Sequence, residues 1–205
     1  MRAFLVGLVG ALAAIAGLAG SASASATVDL IWQNSGTDTT SNLTISQTIT
    51  LDVVITAGPL GSNGGSVSID YTAVAGILSV TAFSNDLDGF WGFSPGGAPT
   101  NPGDGFIHSI NAGSVCGVIG SCLANGQSRT IGTVTFHVDA LPGGSLTIIP
   151  GDFFGVDGVG TATGADANPT FNSGFAVVPE PGTLALLGMG MGGLYGVGRR
   201  SRPKR

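Results

Sequence analysis

The sequence predicts an all-β protein whose body is a single β-sandwich of about eight short strands. Residues 27–177, about 150 in all, contain no Lys and no Glu and are rich in Gly, Thr, Ser and Val. Such a composition disfavours long helices and favours strands and turns. Apolar and polar residues also alternate with a period of two, and Gly or Pro turns separate most of the alternating segments. The length suits one domain.

The individual strands follow from this alternation. The clearest ones place an apolar residue at every second position: Ile49, Leu51, Val53 and Ile55; Val67, Ile69, Tyr71 and Ala73; Val134, Phe136 and Val138. Further candidate strands are 28–32, 77–83, 106–110, 146–149 and 171–177. Because His108 alternates with Phe106 and Ile110, we expect it to face the core or its edge, and we expect His137 to face outward.

The N-terminal 26 residues are typical of a secretory signal peptide. Arg2 supplies a positive charge, residues 3–18 are apolar, and "GSASASA" at 20–26 contains two Ala-x-Ala sites. We expect cleavage after Ala26, with Ala24 as the alternative, so that the domain spans 27–177.

The C-terminus combines an apolar segment with a basic cluster. Five of the seven Lys and Arg residues fall in the last seven positions: Arg199, Arg200, Arg202, Lys204 and Arg205. As a helix, the uncharged segment 183–198 would span about 24 Å, a little short of the ~30 Å hydrocarbon core. Snorkelling and local thinning can cover the gap. The positive-inside rule then predicts a transmembrane helix with the basic tail 199–205 in the cytoplasm and the acidic body outside. The alternative is a buried Gly-rich helix of the domain.

Residues 178–205 resemble the PEP-CTERM protein-sorting domain. "VPEP" at 178–181 precedes the short Gly-rich apolar segment and the terminal Arg cluster, in the order of that signal. The resemblance implies recognition by the membrane enzyme exosortase and tail removal near Pro179, Glu180 and Pro181. It also implies transient residence in the inner membrane, then export to the cell surface or to an extracellular biofilm matrix containing exopolysaccharide. Two prolines around a glutamate favour the extended backbone that a protease needs.

The body resembles a cohesin-like β-sandwich. The resemblance rests on "ITLDVVITAG", "VSIDYTAVAGILSVTAF" and "GTVTFHVDALPGGSLTI". Cohesins of cellulosomes bind dockerin domains, whereas many cohesin-like domains do not, and a fold alone does not transfer that function. The body is therefore expected to be a non-enzymatic surface or matrix protein, or else a module that binds carbohydrate or another protein.

The charged residues give little basis for catalysis. Residues 27–177 contain 11 Asp, one Arg and two His, a net charge of −10 that predicts no nucleic-acid partner. No nucleophile-elbow sequence is present, and nothing singles out a carboxylate pair, so a secreted hydrolase is only an alternative. "NDLDGF" and "GDFFGVDGVG" place Asp beside Gly in loops, which leaves calcium as an option without the EF-hand spacing. No other metal or cofactor is expected.

Two local features complete the prediction. Cys116 and Cys122 are the only cysteines, and an exported chain with one such pair predicts a disulfide worth about 2–3 kcal/mol. A metal pair is the alternative, but it lacks further ligands. The irregular stretch 84–105 contains Phe90, Trp91 and Phe93. These rings form a candidate ligand loop, or they fold back and cap the open end of the sandwich.

Overall fold

The computed structural model describes residues 25–141, 144–154, 157–161, 166–167 and 169–177. Within these ranges the chain forms twelve strands and one short 3₁₀ helix at Thr72–Val74, which confirms the all-β class. The strands are β1 Thr27–Trp32, β2 Thr39–Thr40, β3 Thr48–Thr56, β4 Gly64–Asp70, β5 Leu78–Asn85, β6 Phe106–Gly113, β7 Ser128–Val138, β8 Ser145–Gly151, β9 Gly158–Gly160, β10 Asp166–Ala167, β11 Thr170–Asn172 and β12 Gly174–Val177.

Two sheets enclose one core. The first has five strands in the order β11-β1-β3-β7-β5. The second has seven strands, and six of them lie in the spatial order β10-β9-β4-β8-β12-β2. β9 and β8 pair with successive parts of one edge of β4, and β6, the seventh strand, pairs with its opposite edge. The predicted alternation supplies the core: Ile49, Leu51, Val53 and Ile55 of β3 and Val67 and Ile69 of β4 are at most 2% exposed.

Strand β6 departs from the predicted alternation. Ser109 has a positive φ of 57°, and the register of β6 against β4 shifts nearby, as in a β-bulge. The bulge places Ile107 and Ile110 in the core. His108, which we expected to face the core or its edge, instead lies on the outer face of the sheet, with a side chain 24% exposed. His137 faces outward as predicted, with 36% of its side chain exposed.

The predicted strand 171–177 is two strands in different sheets. β11 pairs in parallel with β1 in the five-stranded sheet. After Ser173 the chain enters the seven-stranded sheet as β12, between β8 and β2. Strands β2, β9 and β10 were not predicted, because a strand of two or three residues is too short to show the alternation of apolar and polar residues.

The described chain enters and leaves at opposite ends of the sandwich. Thr27 pairs with Thr56 and Thr170 at one end, and Val177 pairs with Ser145 at the other. The described residues include no helix long and apolar enough to cross a membrane. The predicted span 183–198, the sorting motif and most of the signal peptide lie outside these residues.

Candidate binding surface

An exposed aromatic patch covers the outer face of the seven-stranded sheet where β6, β4 and β8 lie side by side. Phe106 of β6 and Ile149 of β8 flank Asp70 of β4 in register. The turn after β8 brings the rings of Phe153 and Phe154 within 5.4 and 5.5 Å of Phe106. We call Phe106, His108, Ile149, Phe153 and Phe154 the aromatic patch. The exposed fractions of Ile149, Phe153 and Phe154 are 41, 42 and 43%.

Serines on β4 hold the neighbouring loop against this face. Ser66 and Ser68 alternate with the buried Val67, so their hydroxyls point outward. Both donate hydrogen bonds of 2.5 Å to the carboxylate of Asp157. The backbone N–H of Asp157 in turn donates to Asp152. The segment with the two phenylalanines is therefore tied to the sheet at both ends.

An imidazole–carboxylate pair joins the patch member His108 to Asp104 at the margin of the patch. The His108 ring stacks on Phe154 at 4.0 Å, with 23° between the planes. Its Nε2 lies 2.9 Å from Oδ2 of Asp104. The hydrogen bond from His108, joined by the Phe106 backbone N–H, lowers the pKa of Asp104 below its ordinary value of 3.8. Asp104 is thus ionised at neutral pH and holds the His108 ring against Phe154.

The arrangement suits binding rather than chemistry. Large apolar side chains that lie together at the surface mark interaction sites, and aromatic residues are enriched at such sites. Here three carboxylates, those of Asp70, Asp104 and Asp152, border the rings. Such a surface can bury apolar groups of a partner at its centre and bind hydrogen-bond donors at its margin.

The candidate ligand loop is, in contrast, mostly part of the core. Trp91 is 1% exposed and donates from Nε1 to the carbonyl of Thr130 at 2.7 Å. Phe90 packs edge-to-face on it at 4.9 Å and carries the Arg129 guanidinium 4.7 Å above its ring. A buried indole cannot stack on a ligand, so Trp91 is not a ligand-stacking residue. Of the three aromatics, Phe93 is the most exposed, at 37%.

Two asparagines explain why this loop folds inward. Asn111 is 0% exposed, and its carbonyl oxygen accepts hydrogen bonds from the Ser94 hydroxyl at 2.6 Å and the Gly96 N–H at 3.1 Å. Asn85 donates to Ser94 and to the carbonyl of Gly97. These bonds satisfy the buried polar groups and tie the loop to β5 and β6.

The disulfide loop packs against the same segment. Cys116 and Cys122 are joined, with 5.2 Å between their Cα atoms. Gly120 pairs with Trp91, and the Ser121 N–H donates to the carbonyl of Phe90 at 2.7 Å. The pair therefore closes a loop that holds the 90–92 segment in place.

The alternatives of hydrolysis and metal binding gain no support from the described residues. His137 contacts Asp139 at 2.8 Å, while hydrogen bonds from Ser79 and then from His137 lower the pKa of Asp139. In a serine hydrolase the histidine lies between the serine and the aspartate, whereas here Asp139 lies between Ser79 and His137.

Metal binding gains no support either. Over the part of the chain that the structure describes, no three His, Cys, Asp or Glu residues group as metal ligands. In the two calcium-candidate segments, Asp88 pairs with Arg129 and Asp157 binds the two serines.

The structure describes the chain up to Val177, immediately before the predicted sorting signal. Pro179, Glu180 and Pro181 and all five terminal basic residues lie outside the described ranges. β12 is paired with β8 through Val177, so one residue separates the sheet from Pro179.

Comparison with known proteins finds similarity for both parts of the chain. Residues 177–202 match the PEP-CTERM protein-sorting motif. No curated protein matches the sequence. Among solved structures, the body resembles a complex of CaCohA2 from Clostridium acetobutylicum with CaDoc0917, at a TM-score of 0.55 and 11% identity over 75% of this chain and 99% of that chain. It also resembles the sixth cohesin of Acetivibrio cellulolyticus scaffoldin B, solved in complex with a dockerin. Here the TM-score is 0.52 and the sequence identity 12%, over 75% of this chain and 99% of that chain.

A third similar structure is the cohesin module of a family 33 glycoside hydrolase from Clostridium perfringens, with a TM-score of 0.52 and 10% identity over 78% of this chain and 98% of that chain. Identities this low establish the fold alone. The chain thus carries a PEP-CTERM protein-sorting motif directly behind a body with a cohesin-like fold.

Proposed function

We propose that this chain is an exported cell-surface protein, sorted and processed by exosortase, whose body is a non-catalytic module that binds a protein partner through the aromatic patch. The sorting motif at 177–202 supports export and processing. The exposed rings of Phe153 and Phe154 support binding. The processed protein resides at the cell surface or in the extracellular matrix.

A protein partner fits the patch better than a small ligand. The rings lie on an open sheet face, whereas sites for small molecules are concave and enclose most of the ligand. Two of the similar structures are complexes, one of them with a dockerin. A polysaccharide of the matrix is the second candidate, because exposed aromatic rings beside the carboxylates of Asp70 and Asp104 can also contact sugar rings and hydroxyls.

The mature N-terminus is proposed at Ser25. The Ala26 side chain is 2% exposed, and its carbonyl accepts a hydrogen bond from the Thr170 N–H at 2.9 Å. Cleavage after Ala26 would remove these contacts, whereas cleavage after Ala24 retains them. The intact mass of exported protein distinguishes the two sites.

Sorting is tested by replacing Pro179, Glu180 and Pro181 together with Ala in cells that contain exosortase. We expect the variant to insert but to accumulate as precursor in the inner membrane, while Val178→Ala, the matched control, is processed. Fractionation and intact mass give the readout. Processing of the triple variant at the wild-type rate would contradict the sorting proposal.

Binding is tested by immobilising the processed protein and offering it the protein and polysaccharide fractions of the extracellular material separately. We expect a protein to be retained by the wild type and by Phe93→Ala, which removes an exposed ring outside the patch. The double variant that combines Phe153→Ala with Phe154→Ala should not retain this protein. Retention of polysaccharide alone, lost in the same double variant, would assign the patch to the second candidate.

A further inference from the structure

The end of the sandwich at which β12 leaves is built from loops that carry little charge. Two loops flank the last strand: 41–47, which follows β2, and 139–141, which precedes β8. A third loop, 71–77, closes the end between the sheets and includes the 3₁₀ helix. We call these three loops the proximal end. They contain one charged residue, Asp139, although the body carries 11 Asp.

Two exposed aliphatic side chains lie on either side of the exit. Ile45, 60% exposed, follows Thr40, which pairs with Ala176 of β12. Leu141, 48% exposed, precedes Ser145, which pairs with Val177. The two loops adjoin each other, because the Ser46 N–H donates to the carbonyl of Val138 at 2.8 Å. An apolar side chain thus stands on each side of the point where the chain leaves the sheet.

The length of chain beyond the sheet limits how far this end can be from a membrane. Six residue steps separate Val177 from Thr183, where the apolar run begins. Fully extended, they reach at most about 21 Å. The headgroup layer on each side of the hydrocarbon core takes up about 5–8 Å of this distance. The proximal end is therefore within about 15 Å of the headgroups whenever the apolar run is in the bilayer.

The opposite end is held away from the membrane by the length of the sandwich. β3 has nine residues and spans about 30 Å. The loop between β3 and β4 lies at that far end and exposes Leu60 to 56%, similar to the exposure of Ile45. The disulfide loop, between β6 and β7, lies at the same end. That end also exposes Val115, Val118 and Ile119, and its loops 57–63 and 114–127 contain no charged residue. Both ends are therefore apolar, and what distinguishes them is their distance from the membrane.

The charges around the proximal end are paired or peripheral. Asp139 contacts His137 at 2.8 Å. Asp70, at the start of the 71–77 loop, accepts hydrogen bonds from the Thr72 N–H and hydroxyl. Asp104 lies beside β6, on the other side of this end from β12, and pairs with His108. The loops that carry Ile45 and Leu141 can therefore approach lipid without burying a carboxylate that lacks a hydrogen-bond donor.

We propose that the proximal end is a lipid-contact surface, on which the folded body rests against the outer leaflet of the inner membrane while the precursor awaits processing. This inference rests on the proposed function, because it requires the apolar run to be anchored in the bilayer. Ile45 and Leu141 enter the headgroup layer on either side of the tether and keep the body upright, with the aromatic patch on its side accessible to partners.

The test uses the exported precursor, with the signal peptide removed by the host, purified from cells that lack exosortase and reconstituted in phosphatidylethanolamine–phosphatidylglycerol vesicles. Ile45→Cys, Leu141→Cys and Leu60→Cys are each labelled with a fluorophore, and quenching by headgroup-nitroxide lipids is measured. The disulfide keeps Cys116 and Cys122 out of the labelling. Because the two proximal positions lie on different loops, one misfolded variant does not remove the test.

We expect quenching at positions 45 and 141 to exceed that at position 60 several-fold. Equal quenching at all three positions in precursor that floats with the vesicles would overturn the lipid-contact proposal. Shielding of positions 45 and 141 that requires added exosortase would also overturn it, and would assign this end to the enzyme. Failure of the precursor to float with vesicles would instead contradict the membrane anchor of the proposed function.

Discussion

Two similar stretches of sequence, "GFWGF" at 89–93 and "GDFFG" at 151–155, have opposite roles in this fold. Both place aromatic residues between glycines in a turn. Trp91 is 1% exposed, whereas Phe153 and Phe154 are 42 and 43% exposed. The first stretch closes the sandwich, because the indole N–H can donate to a β7 carbonyl at the open end of the core. The second lies on the outer face of a sheet, where serines and Asp157 hold it above the strands.

The comparison shows that the surroundings of an aromatic loop decide its role. A ring becomes part of the core when a loop crosses the open end between two sheets and its polar atom finds a partner there. A ring stays available for binding when its loop folds back over a face that is already paired. Substitutions in the two stretches should accordingly separate stability from binding.

The largest effect is expected for Trp91→Ala. Removing a fully buried indole leaves a cavity and leaves the Thr130 carbonyl without its donor, so the free energy of unfolding should fall by about 3–5 kcal/mol. Phe93→Ala, the matched control, should cost less than about 1 kcal/mol, because that ring is partly exposed. Urea denaturation of the processed protein measures both. Equal losses would contradict the assignment of Trp91 to the core.

Partner binding should respond in the opposite way. Phe153→Ala with Phe154→Ala should weaken partner binding by about 30-fold or more, the effect of losing one interface hot spot of about 2 kcal/mol. The midpoint of urea unfolding should hardly change, because both rings are already exposed in the free protein. Trp91→Ala protein that is still folded should bind the partner normally. A large loss of stability in the double variant would show that the two rings belong to the core.

Removal of the disulfide tests the support of the first stretch. Cys116→Ala with Cys122→Ala opens a loop of seven residues, which should cost about 2 kcal/mol of stability on the chain-entropy model. Hydrogen exchange should rise at the N–H groups of Ser121 and Gly92, which bond across this region, and not at Phe153 or Phe154. Two free thiols in wild-type exported protein, detected by mass spectrometry, would contradict the predicted oxidation.

The smallest effect concerns the pair that borders the patch. The hydrogen bond from His108 lowers the pKa of Asp104. The carboxylate therefore stabilises the fold above its unfolded pKa, and this contribution is lost as the pH falls through the lower folded value. His108→Phe, which removes the donor, should move the NMR midpoint of the Asp104 carboxyl upward toward 3.8, whereas His137→Phe should leave it unchanged. An unchanged midpoint in His108→Phe would contradict the pairing.

The sequence predicts the fold better than it predicts the binding surface. Period-two alternation identifies β3 and β7 because their inner residues, such as Leu51 and Phe136, repeat without interruption. Which residues of β6 face the core cannot be predicted from the sequence, because the bulge at Ser109 depends on the pairing of β6 with β4. The turn after β8 could be noticed from its adjacent Phe153 and Phe154, since two neighbouring large rings in a turn seldom both find the core. Their attachment through Asp157 depends on contacts between residues about 90 positions apart, which no local pattern shows.

The inward fold of the aromatic loop has a similar cause. Nothing in the sequence distinguishes Asn111, which is buried and binds three groups of the loop and the Ser109 carbonyl of β6, from the exposed Asn42. Burial of an amide depends on which backbone groups need a partner, and these are known only once both sheets are in place. Trp91 was therefore expected either in the core or at the surface, and the structure places it in the core.

The central claim is that the aromatic patch is covered by a partner where the protein resides. Hydroxyl-radical footprinting of the processed protein in intact cell-surface material, compared with the purified protein and read by mass spectrometry, tests it without knowledge of the partner. Oxidation of Phe153 and Phe154 should fall several-fold in the native material, while that of Phe93 should change little. Equal oxidation of all three rings in both samples, or protection confined to Phe93, would contradict the claim.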